Sequence, residues 1–169
     1  MTLARDVRPG SARVITVSTR AAAGIWEDRS GPILVAGLAA LGLQVEGPQV
    51  VPDGEAVADA LREAVEAGIA LVVTTGGTGL TPSDRTPEMT RTVVDREVPG
   101  IAEALRAYGA GHGIPTAVLS RGMAGLAGRT LIVNVPGSPG GAKDALAVLE
   151  PILAHALEQV PGSDHPRPS

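Results

Sequence analysis

Between Leu71 and Thr90 the chain reads LVVTTGGTGLTPSDRTPEMT: an apolar run, a turn carrying Gly76, Gly77 and Gly79, a carboxylate at Asp84 and a helix start. Glycines let the backbone take positive φ and approach a ligand closely, so the amide N–H groups of Gly76, Gly77 and Gly79 can face an anion. Thr86 is expected as an N-cap, with Pro87 at the first helical position and Glu88 in the first turn, which would aim the positive end of a helix at the loop. Asp84 falls between loop and helix, where a carboxylate could hold a divalent metal or orient a reacting group. This is chemistry for handling phosphates. Leu80 and Thr81 follow Gly79 where a P-loop needs Lys-Ser/Thr, and the glycine spacing does not read G-x-G-x-x-G, so both better-known phosphate motifs are excluded. A plain strand-to-helix turn would explain the glycines alone; Ser83-Asp84 and Thr86-Pro87-Glu88 weigh against it.

Other candidates stand at comparable places. Asp53 follows a β-type run and reads either as an N-cap or as a second acidic group beside the glycines. Asn134-Val135-Pro136-Gly137-Ser138-Pro139 is a turn and helix start, with Ser138 as cap, and the helix end so formed can also bind phosphate. Arg121 could be solvated or could supply a positive charge to the pocket. Trp26 is a core or interface anchor, or a flap over a ring.

These residues need a scaffold. Strand-like segments at Arg13–Ser18, Gln44–Val51, Ala70–Thr74, Thr116–Leu119 and Thr130–Val135 alternate with helix-like ones, which predicts an α/β fold: a single three-layer domain with a mostly parallel sheet and helices on both faces. One helix opens at Ser30 and should bury Ile33, Leu34, Leu38 and Leu41; Asp53 should cap another that buries Val57, Leu61 and Val65 and ends at Gly68. Others should start near Thr86, near Pro99 and after Ser138, with Pro151 kinking or dividing the last. The domain is expected to fill residues 1–169, with an ordered core over about 13–160 and poorly ordered tails. In open α/β sheets ligands bind beyond the carboxyl ends of the strands, where Ser18, Asp53, Thr75–Gly79, Ser120 and Asn134–Ser138 all fall.

Composition narrows the function classes. A chain of 169 residues with 44% apolar content, no Phe and a single Trp and Tyr must build its core from aliphatic side chains. Few aromatics and a net charge of −4 argue against nucleic-acid binding. There is no cysteine, and His112, His155 and His165 lack ligand spacing, so disulfides, a thiol nucleophile and a zinc site are not expected. No segment approaches a membrane span or a secretory signal, which points to a cytoplasmic protein with no membrane partner.

TTGGTGLTPSDRTPE resembles the signature of the MoaB/Mog family, the molybdopterin adenylyltransferases of molybdenum cofactor biosynthesis. Val14–Ser18, Asp28–Pro32, Val51–Asp53, Pro99-Gly100, Leu119–Arg121 and Thr130–Pro139 extend the resemblance, in order, from about Arg13 to Gln159. The resemblance implies AMP transfer from MgATP to the terminal phosphate of molybdopterin, releasing pyrophosphate. It implies Asp53 and Asp84 as catalytic residues that hold Mg2+. Ser18, Thr75, Gly76, Gly77, Thr78, Gly79, Glu88, Ser120, Arg121, Asn134, Pro136, Gly137 and Ser138 would bind the substrates ATP and molybdopterin. A homotrimer, or a hexamer built from it, is implied as well.

Two positions depart from the family pattern. Thr19 stands where an aspartate is common, and Gly140 stands where a lysine is usual, the first lysine being Lys143 one turn later. These departures leave a catalytically weak molybdopterin-binding or scaffold relative as an alternative. The molybdate-inserting domain lacks the Thr-Gly-Leu-Thr-Pro run, and a competence-damage-type domain has paired aspartates where this chain has Ser83-Asp84, so both rank lower.

Overall fold

The computed structural model describes residues 8–162. Strands β1 (Arg8–Val17), β2 (Gln44–Val51), β3 (Ile69–Thr75), β4 (Arg96–Glu97), β5 (Ala124–Ala127) and β6 (Thr130–Val135) form one sheet in the order β2-β1-β3-β6-β5-β4. The four on the β2 side run parallel, whereas β5 pairs antiparallel with β6, and β4 with β5. Helices α1 (Thr19–Ala22), α2 (Ser30–Ala40), α3 (Glu55–Glu66), α4 (Thr86–Arg91), α5 (Pro99–Gly111) and α6 (Pro139–Gln159) connect them.

The three-layer α/β expectation holds. On one face, Val14, Leu71, Val73, Leu131 and Val133 of the sheet meet Leu34, Leu38, Ala145 and Leu149; on the other, Ile15, Val72 and Ile132 meet Val57, Leu61 and Met89. Side chains of successive strand residues point to opposite faces, and every residue of β3 is buried because helices cover both. Gly68, at φ +72, ends α3 and turns the chain directly into β3.

Several expectations need correction. β1 begins at Arg8, so residues 8–12 belong to the sheet; Pro9 and Gly10 look like breakers but fall within the register shift between Arg8 and Ala12. The expected disorder of the remaining tails concerns segments outside the described residues. Residues 115–119 form a short 3-10 helix and not a strand, with Val118 and Leu119 exposed. Pro115 fixes φ and carries no N–H for a ladder, and the place in the sheet goes to Ala-Gly-Leu-Ala at β5, which has no β-branched residue to announce it. Leu41 is exposed because α2 stops one residue before it, and Val65 is half-buried. α6 runs through Pro151 undivided, the proline lying on its exposed side.

Candidate functional site

The glycine loop emerges from the carboxyl end of β3, at the centre of the parallel strands. Gly76 and Gly77 have φ of +103° and +66°, a region that side chains rarely tolerate. A Cβ on Gly76 would strike the Val17 carbonyl, and one on Gly77 would strike Thr86 Oγ1 and Asp53 Oδ2. A Cβ on Gly79 would lie 2.7 Å from Asp84 Oδ2, and one on Gly137 only 2.9 Å from Gly76 Cα. The glycines thus bring three segments together: Asp53, the Thr75–Asp84 turn, and the Asn134–Ser138 bend. Gly76 N donates to the Val135 carbonyl at 3.0 Å, and the Thr75 hydroxyl donates to the Pro136 carbonyl at 2.9 Å.

What the loop leaves unused is equally informative. Thr86 N donates to the Gly77 carbonyl and Arg121 N to the Thr78 carbonyl, yet the amides of Gly77, Thr78, Gly79 and Leu80 find no acceptor among the described residues. The amides of Gly137 and Ser138 are in the same position. Donors of this kind, at the mouth of a sheet and beside the start of α6, make a concavity for an anion. Ser138 caps α6 as expected, its hydroxyl accepting from Gly141 N at 3.0 Å.

Asp53 does not cap α3. The N-cap is Gly54, and the Asp53 carboxylate accepts from Gly54 N at 2.7 Å and from Arg85 N at 3.1 Å, which turns it toward the glycine loop. Burial pushes its carboxyl above the ordinary value of 3.8, the nearby Asp84 charge adds to the rise, and the Arg85 and Gly54 amides oppose it. The Asp53 amide donates to the Thr19 hydroxyl at 3.3 Å, so the departure at Thr19 replaces a carboxylate with a neutral acceptor. Asp84 accepts from the Thr81 hydroxyl at 2.7 Å and from Thr81 N at 3.2 Å, a local turn that the sequence reading did not foresee. Thr86 is not an N-cap either; it is helical, and its hydroxyl donates to the Gly76 carbonyl at 2.9 Å.

Three expected ligand contacts are largely engaged within the protein. Arg121 donates from Nε to the Gly79 carbonyl at 2.8 Å and from Nη2 to the Asp84 carbonyl at 2.7 Å, while Nη1 pairs with Glu88. The guanidinium therefore gathers the two ends of the Gly79–Asp84 turn. Its hydrogen bond holds the Glu88 carboxyl below the usual carboxylate range, and Glu88 Oε2 is buried without a partner among the described residues. Asn134 is buried: its amide donates to Thr74 Oγ1 at 2.9 Å and Thr90 Oγ1 at 3.0 Å, and its carbonyl oxygen accepts from Met123 N at 3.2 Å. It knits β6 to β3 and α4.

Two cavities flank this centre. One, of about 510 Å³, is walled by Ser18, Trp26, Asp28, Ser30, Thr75 and Gly137. The other, of about 820 Å³, takes in Thr78, Gly79, Ser120, Pro136, Gly137 and Ser138. Gly137 belongs to both walls. Arg106 on α5, His112 just after it and Asp144 on α6 also line the larger cavity, and the sequence offered no motif to single them out as site residues. Lys143 is exposed near the start of α6 and is not among the residues lining either cavity. Among the described residues no three His, Cys, Asp or Glu side chains could hold a metal by themselves, and no helix is long and apolar enough to cross a membrane.

Residues 13–155 match the family model described as a probable molybdopterin binding domain. A molybdopterin adenylyltransferase from Haemophilus influenzae is 40% identical over 137 residues, covering 79% of this chain and 69% of that protein. A molybdenum cofactor biosynthesis bifunctional protein from Synechococcus elongatus is 39% identical over 96% of this chain, which spans only 53% of that relative. Among solved structures, the molybdopterin biosynthesis Mog protein from Mycobacterium ulcerans superposes with a TM-score of 0.84 at 50% identity, over 89% of this chain and 98% of the other. MoaB from Thermus thermophilus superposes with a TM-score of 0.84 at 43% identity, over 90% and 97%.

Proposed function

This chain belongs to the MoaB/Mog family of molybdenum cofactor biosynthesis proteins, and from that premise we propose that it is a molybdopterin adenylyltransferase. An oxygen of the terminal phosphate of molybdopterin attacks the α-phosphorus of ATP, the bond from that phosphorus to the β-phosphate oxygen breaks, and pyrophosphate leaves. Such a transfer asks the protein for in-line placement of two polyanions and relief of their repulsion. The observation that carries the reading is the row of unspent amides in the glycine loop, set beside Asp53 and Asp84 and between two cavities of substrate size.

Magnesium fits this donor set as a companion of ATP. Mg2+ usually takes one or two carboxylates and completes its shell with substrate phosphates and water. Asp53 and Asp84 are the two carboxylates, close enough that the charge of one raises the pKa of the other. A bound cation would supply charge neutralisation between the phosphates and offset the cost of keeping the half-buried Asp53 ionised. The loop amides hold phosphate oxygens, and Arg121 and Glu88 keep the loop in shape. The reading includes a cytoplasmic setting and assembly as a homotrimer or hexamer, which gel filtration measures.

The test is pyrophosphate release on incubation with MgATP and molybdopterin. Release is expected from the wild type and is expected to be lost in Asp84→Asn with folding retained; a wild-type rate in that variant would overturn the assignment. Binding of molybdopterin without release would favour a carrier module instead.

A further inference from the structure

We propose that Trp26, backed by Arg20, is a stacking shelf that holds the flat nitrogen-heteroaromatic ring of a phosphorylated substrate in the 510 Å³ cavity. The inference rests on the adenylyl-transfer reading, in which both substrates carry such a ring, a purine in one and a pterin in the other.

Trp26 is the only tryptophan of the chain and is 61% exposed, beside a still more open Ile25. A tryptophan is mostly buried in folded proteins, because its large apolar surface costs free energy in water. Here it lines a cavity instead of the core, and the floor of that cavity is Thr75, Ser30 and Gly137, next to the unspent amides. A ring stacked at the mouth would therefore lie on the same path as a phosphate at the loop.

The loop is built to hold the indole in place without covering it. Ser18 Oγ accepts from Ala21 N at 3.1 Å at one end. At the other, Asp28 accepts from the Thr16 hydroxyl at 2.7 Å and from Gly31 N at 2.9 Å. In between, the amides of Ile25 and Trp26 both donate to the Arg20 carbonyl. The Arg20 guanidinium sits 4.7 Å from the indole centroid and has no carboxylate partner among the described residues. A cation held on an aromatic face in this way fixes the ring and adds positive charge where an anionic substrate enters.

Because no other tryptophan is present, intrinsic fluorescence reports on this one site. The wild type is titrated separately with MgATP and with molybdopterin, following tryptophan emission and, by calorimetry, the Kd. Emission should change with the ligand whose ring stacks, and Trp26→Ala should weaken that ligand about tenfold or more, as stacking losses on single bases do. Trp26→Phe should restore most of the affinity, and the other ligand should be unaffected. Whether the purine or the pterin responds identifies which ring uses the shelf. If the wild type binds both compounds but Trp26→Ala binds each as well as the wild type does, the shelf is wrong and the adenylyl-transfer reading survives. If the wild type binds neither, both fall.

Discussion

Replacing Gly77 with alanine isolates what the glycine loop requires. At φ +66° an L-residue is strained, at about 1–2 kcal/mol. The new methyl would also enter the space of Thr86 Oγ1 and Asp53 Oδ2, and forcing it in should add about 1–3 kcal/mol. Gly128, in the β5–β6 turn, has φ +57° and nothing within 4 Å of an added Cβ, so Gly128→Ala incurs the strain alone. For a chain of this size each kcal/mol shifts Tm by about 2–4 °C. Thermal unfolding should then show a drop of about 4–20 °C for Gly77→Ala and about 2–8 °C for Gly128→Ala. Pyrophosphate release, measured well below either midpoint, should be lost only in the first, because only there is the Asp53 carboxylate displaced. Equal losses of Tm in the two variants, or undiminished turnover by Gly77→Ala, would refute the claim that close approach at Gly77 shapes the site.

Two further outcomes follow from the same geometry. Asn134→Leu keeps the branched outline and heavy-atom count of the side chain but strands the Met123 amide and removes two hydroxyl contacts, so urea unfolding should show a loss of about 2–4 kcal/mol; a loss below about 1 kcal/mol would show that the network is dispensable. Glu88 has a folded pKa below its ordinary 4.5, so its stabilisation is complete above that value and disappears as pH falls through the lower folded value. Glu88→Gln should accordingly flatten the acid limb of the stability–pH curve, and an unchanged limb would mean that the Arg121 pairing contributes nothing.

The parts of this molecule that could be read from its residues are those where a local rule and the global fold agree. β3 is an unbroken apolar run because it is covered on both faces, and the glycines after it mark where the backbone turns. Ser138-Pro139 announces a helix start that the structure makes in that form. Legibility fails where a partner distant in the chain decides. Asn134 is an ordinary turn residue until Thr74, Thr90 and Met123 surround it. Arg121 looks like a free cation until the carbonyls of Gly79 and Asp84 claim it, 42 and 37 residues away. β5 is invisible because its place beside β6 comes from a tight reversal at Gly128 and not from any preference of Ala-Gly-Leu-Ala for extended backbone.

Gly137, common to the walls of both cavities, sets an occupant of either one against the same stretch of main chain. Whatever one occupant does to the affinity of the other, the ratio is identical whichever is added first, since linkage between two binding equilibria is reciprocal.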